Sequence, residues 1–249
     1  MNSEESVTFR NYFNSEQDVE DIFTTILGCE KAVIAPTMMG FFDWSALHCS
    51  NAGTFGEAYR KLEPAAIWDM DKRTSWNTHY KAIYLTNFLH ENQFRFKNIS
   101  QERIDFWLAQ ADFVKALMYF RLAQDWGEAV VAPSTEDASQ QAKSPINTIL
   151  TEAIQAAEAA LILPTFDKLT NAQGNNINSR QYASLGTVHT LLANIYAWMG
   201  GLYDKEEYWK KAEASASLVI EGKVGFYDLV SMKDLVEKTF GKSRDLTEV

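Results

Sequence analysis

Apolar residues recur along most of this chain with the period of a helix. Val19, Ile22, Phe23, Ile26 and Leu27 fall on one face of a helix that begins at Asn14 or Ser15 and approaches its end at Gly28. Trp76, Tyr80, Ile83, Tyr84 and Asn87 mark a second helix over about 75–90. A third starts after Ser100 and runs to Trp126. Its stripe of Ile104, Trp107, Leu108, Ala111, Val114, Leu117, Met118 and Arg121 is flanked by a second one of Phe113, Ala116 and Phe120. A helix apolar around more than half its girth has neighbours on several sides. Ser144-Pro145 opens a fourth helix, with serine as N-cap and proline in the first turn, and Pro164 closes it. A fifth spans about 179–199 and a sixth about 205–221; "VGFYDLV" (224–230) is strand-like in composition.

Between these regular segments lies an irregular one, 32–75, where glycines, prolines and aromatic rings mix. A loop of that length inside one domain is uncommon and often functional. The chain of 249 residues is therefore expected to form one mostly α-helical domain over 1–249. An irregular region at 32–75 would be followed by helical pairs over 76–222 and a tail at 223–249. Helices three and four, and five and six, read as antiparallel pairs. The last pair carries Ala183, Ala193, Ala197, Ala212, Ala214 and Ala216, small residues that let helices approach as in a tetratricopeptide-like array.

Charge narrows the function classes. Lys and Arg number 23 against 33 Asp and Glu, a net charge of −10, with no basic run. That excludes phosphate-backbone recognition of nucleic acid and an electrostatic grip on anionic lipid. Residues 181–203 hold no formally charged side chain and are long enough to cross a bilayer, but polar groups are spread through them, which fits a helix buried in protein. The start has no apolar leader segment. Cys29 and Cys49 read as buried thiols, with one disulfide as the alternative.

No catalytic pattern emerges. His48, His79, His90 and His189 lack metal-helix spacing, and His189 reads as a hydrogen-bonded core group. Asp69 and Asp71 lack the glycine and glutamate of a calcium loop. No cofactor and no metal are expected. What remains is aromatic. A sugar offers C–H faces to flat rings and hydroxyls to Asn, Asp, Arg and Gln, since buried hydroxyls need partners. The 40–76 stretch interleaves such groups, and Trp68, Asp69, Arg73, Trp44 and Tyr59 are the candidate ligand-binding residues. Trp76 reads as packing.

"DFVKALMYFRLAQDWGEAVVA" (112–132) stops a long apolar helix on Trp126-Gly127. Together with Trp76, Tyr80, Ile83 and Asn87 before it, it resembles the SusD/RagB family of outer-membrane nutrient-binding lipoproteins. The matching core is Ala116, Leu117, Tyr119 and Phe120, then Trp126, Gly127, Glu128, Val130 and Val131. "SPINTILTEAIQAAEAALILP", "LLANIYAWMGGLYDKEEYWKKAEASASLVI" and "YFNSEQDVEDIF" resemble further family segments in the same order. Lys115 stands where the family usually has arginine, and family members are about twice this long. The resemblance implies a non-enzymatic binder of an oligosaccharide or other nutrient. It would sit at the outer-membrane surface beside a TonB-dependent transporter, touching the membrane only through a lipid anchor that this chain does not contain. A protein-interaction scaffold is the alternative, and an acidic hydrolase built on Asp69 or Asp71 a third reading.

Overall fold

The computed structural model describes residues 12–45, 76–177, 179–229 and 231–234, with side chains from 35 to 45 left aside. The elements are α1 (Glu16–Ser45), α2 (Asn77–Asn92), α3 (Gln101–Trp126), α4 (Ile146–Ala159), α5 (Leu185–Tyr203) and α6 (Glu206–Ile220), with a helical turn at Met232–Asp234. Among the described residues there is no sheet, only isolated bridges such as Ala129–Ser144. The expected mostly α-helical, paired architecture is what forms: α1 lies against α2, α3 against α4 and α5 against α6.

Each helix begins where local chemistry favours it. The Asp18 carboxylate gathers the Asn14 and Ser15 backbone N–H groups at 2.9 and 2.8 Å before α1. Ser100 caps α3 by accepting from the Arg103 N–H, and Ser184 with Thr187 forms a capping box at α5. Gly127 ends α3 at φ 72°, a backbone angle that glycine adopts without strain.

Five readings shift. α1 does not stop near Gly28 but runs to Ser45, so 32–45 is helical. A glycine inside a helix costs only about 1 kcal/mol, and Ile26, Cys29 and Val33 continue the buried stripe across it. On α2 the core line is His79, Ala82, Ile83, Thr86 and Leu89; Tyr84 is exposed. The cap of α4 is Pro145, because Ser144 is taken by its bridge to Ala129. The alanine interleaving of α5 and α6 is partial: Ala212 is buried but Ala214 is exposed. Glycine provides the close approach instead. A Cβ at Gly200 would stand 2.7–2.9 Å from three pyrrole-ring atoms of Trp209, so the indole lies face-on against α5. Lastly, 224–229 is not a strand. Gly225 at φ 132° turns it back on α5, where Val224 is buried, the Tyr227 ring covers Gly186, and its hydroxyl meets Ser184 Oγ at 2.8 Å.

α3 is the centre. Its buried residues face every direction, from Trp107 toward α1 to Phe120 toward α5. Arg103 ties its first turn to both neighbours. The guanidinium donates to Glu16 at 2.6 Å, to Thr170 Oγ1 at 3.1 Å and to the Thr170 and Asn171 carbonyls at 2.9 and 3.2 Å, and it lies over Phe106. Glu16 also accepts the Trp107 indole N–H at 2.8 Å. Cys29 is buried; Cys49 lies outside the described residues.

Candidate ligand-binding site

The predicted ligand residues are not among the side chains the structure describes. Trp44 falls in the last turn of α1, and Tyr59, Trp68, Asp69 and Arg73 lie outside the described residues. The described chain resumes at Trp76.

Trp76 is packing, as expected. Its ring meets Tyr80 edge-on at 5.7 Å and Trp126 at 6.2 Å, with the Lys143 ammonium 5.4 Å from its centre. Trp126 in turn meets His79 edge-on at 5.3 Å. The tryptophan that ends α3 is therefore a wedge between the end of α3 and the start of α2. His79 is buried, with both ring nitrogens lacking a hydrogen-bond partner. Burial, with Arg121 adding repulsion, brings it down to about 4, so it is neutral at physiological pH. His189 departs from its expected role: it is half-buried and its Nδ1 has no partner.

Beyond Gly127 the chain runs extended along one face of α2, and three side chains of that face hold it. Tyr80 Oη accepts from the Val130 N–H at 2.7 Å and donates to the Val130 carbonyl at 2.8 Å. Asn87 donates to the Pro133 carbonyl at 3.3 Å, and Glu91 accepts from the Thr135 N–H at 3.0 Å and from its hydroxyl. From the other side Tyr119 Oη accepts the Ala132 N–H at 3.0 Å. Spacings of seven and four place Tyr80, Asn87 and Glu91 on one helix face. That face explains why Tyr80 and Asn87 stood on the sequence stripe without being core.

The same face borders a cleft of about 300 Å³ walled by α2, α3 and α4. His90 Nε2 meets Asp112 Oδ1 at 2.8 Å, and Lys115 donates to Asn87 Oδ1 at 2.8 Å. Glu152 and Gln155 form the α4 wall with Ala156 and Ala159. Sequence reading missed this cleft. Its only signal was Asp112 and Lys115, charged residues in the middle of the apolar stretch of α3.

Among the described residues, an array of paired helices opened by one long helix defines an all-α fold. A family model described as SusD-like, "Starch-binding associating with outer membrane", matches residues 4–170, and the chain belongs to this family. Solved structures share the fold. A SusD homologue from Bacteroides thetaiotaomicron VPI-5482 superposes with a TM-score of 0.75 at 19% identity, covering 98% of this chain and 48% of its own. A SusD superfamily protein from Parabacteroides distasonis ATCC 8503 gives 0.69 at 18% identity, with 86% and 46% covered. A laminarin binding SusD-like protein gives 0.67 at 16% identity, with 90% and 48% covered. The chain thus spans about half the length of the structures it resembles. Among curated proteins, none matches this sequence.

Proposed function

We propose that this chain is the helical part of a non-catalytic glycan-binding protein that works at the outer-membrane surface. Captured oligosaccharide would be handed to a TonB-dependent transporter. The observation that carries the reading is the family match over residues 4–170, whose description is starch binding in association with the outer membrane. A laminarin binding relative of the same fold supports a glucan as ligand. The chemistry agrees: the 40–76 stretch supplies flat rings and hydroxyl partners, and Trp76 at its end packs against Trp126. Among the described residues no helix is long and apolar enough to cross a membrane; in this reading, as the family resemblance implies, attachment comes through a lipid anchor.

Trp68 and Tyr59 stack on sugar faces in this reading, with Trp44 as a further ring, and Asp69 and Arg73 bind hydroxyls. Calorimetry with starch- and laminarin-derived oligosaccharides tests it, using the longest natural form of the protein. At least one glucan should bind, and Trp68→Ala should weaken it about tenfold or more, a loss of about 1.4 kcal/mol or above. Absence of heat with every glycan, in a folded protein, would refute the reading.

A further inference from the structure

We propose that the cleft walled by α2, α3 and α4 is a second binding site, for a neutral, hydroxyl-rich ligand of one or two sugar units. The choice of sugar rests on the glycan reading above; the cleft itself rests on its geometry. At about 300 Å³ it lies at the small end of ligand sites.

Its side chains are preorganised but not saturated. Asp112 is a carboxylate set into the central apolar helix, its side chain only 9% exposed, and it fixes His90 at 2.8 Å. A buried carboxylate is costly to keep unless it has partners. With Nε2 turned to Asp112, the other ring nitrogen of His90 is left to accept or donate elsewhere. Lys115 spends one of its three N–H bonds on Asn87. Glu91 is engaged by Thr135, whereas Glu152 accepts no hydrogen bond among the described residues. The rim therefore offers donors on Lys115 and Gln155 beside acceptors on Asp112 and Glu152. Ala156 and Ala159 add only methyl groups, against which C–H faces can lie.

Charge selects among ligand classes. Three carboxylates, Glu91, Asp112 and Glu152, oppose an anion. Asp112 is already taken by His90 and Glu91 by Thr135, so a cation would find only Glu152 free, beside the Lys115 ammonium, and no group of His, Cys, Asp or Glu among the described residues is arranged for a metal ion. A hydroxyl donates and accepts at once, so a polyol satisfies both sets of groups without carrying charge into the cleft. Among the described residues no Phe, Tyr or Trp lines the cleft, so binding is weak and selects for hydroxyl pattern rather than chain length.

The test is methyl NMR on alanine-labelled protein, titrated with maltose and with laminaribiose into the millimolar range. The Ala156 methyl signal should shift saturably with at least one of them. Ala159→Trp, at an exposed position on the lip, should weaken that response at least tenfold, and Lys115→Met, which keeps the stem, several-fold. Trp68→Ala should leave it unchanged. Glucose 6-phosphate and putrescine, the anionic and cationic controls, should move Ala156 less than the disaccharides. Three outcomes overturn the proposal: no saturable shift, a shift abolished by Trp68→Ala, or a stronger response to either charged control. Calorimetric silence of the glycan panel together with a saturable Ala156 shift would instead sink the ring-rich site and leave the cleft standing.

Discussion

Gln110 and Ala183 exchange a pair of hydrogen bonds. The side-chain amide donates to the Ala183 carbonyl at 2.8 Å and accepts the Ala183 N–H at 2.9 Å. Gln110 is fully buried in α3, and Ala183 is the residue before the cap of α5. One side chain thus supplies to the entry of the fifth helix what a neighbouring strand would supply in a sheet. Gln110→Leu keeps the volume but leaves a buried N–H and a buried C=O unpaired. Each such group costs about 1–3 kcal/mol. The variant should lose about 2–4 kcal/mol in urea unfolding, and exchange protection should fall first at the N-terminus of α5.

Glycines in these helices separate by what their missing side chains would meet. Gly200→Ala drives a methyl group into the face of Trp209, where the nearest atom stands 2.7 Å away and the whole indole must shift. It should cost about 1–3 kcal/mol. Gly28→Ala meets nothing within 4 Å and should stabilise by about 0.5–1 kcal/mol, because alanine is the better helix former. Thermal unfolding of the two variants should move in opposite directions.

Arg103 joins α1, α3 and the 169–171 segment through one planar group. Arg103→Lys retains the charge but cannot reach Glu16, Thr170 and Asn171 together. A loss of about 2–4 kcal/mol is expected. A double-mutant cycle with Glu16→Gln should show coupling above about 0.5 kcal/mol; strict additivity would contradict the hub role.

Two groups set opposing pH limits. His79 is held down at about 4 in the fold and titrates at 6.5 in the unfolded chain. Its contribution is therefore present above pH 6.5 and lost as pH falls through that window toward 4, on the order of 3 kcal/mol in all. Burial pushes the half-buried Glu30 the other way, up from 4.5 to about 7. Its contribution is complete below 4.5 and is lost as pH rises through 7, and partial solvent access lowers the amount to about 1–2 kcal/mol. His79→Phe, which keeps the ring against Trp126, should flatten the acid limb of stability against pH. Glu30→Gln should stabilise above pH 7 and have no effect below 4.5.

The hydrophobic period by itself determined that this chain makes paired helices, where α3 and α6 lie to within a few residues, and that α3 sits at the centre; α5 starts six residues later than its period suggested. Those conclusions need only side-chain chemistry read at helical spacing: serine at Ser100, glycine at Gly127, proline at Pro164. The family was legible separately, from the resemblance of the run Trp76 to Val131, and the match over residues 4–170 shows it. Tertiary structure alone decided the rest. α1 passes through Gly28 because buried neighbours outweigh one residue's propensity, and no local rule counts neighbours. Tyr80, Asn87 and Glu91 clasp the extended segment after Gly127, a pairing across some 40–50 residues that periodicity cannot see. Gly200 is small because Trp209 lies on it, and the cleft exists because Asn87, Lys115 and Glu152 come from separate helices. Contacts between distant segments depend on how helices rotate about their axes, and a stripe of apolar residues leaves that rotation free until the partner helix arrives.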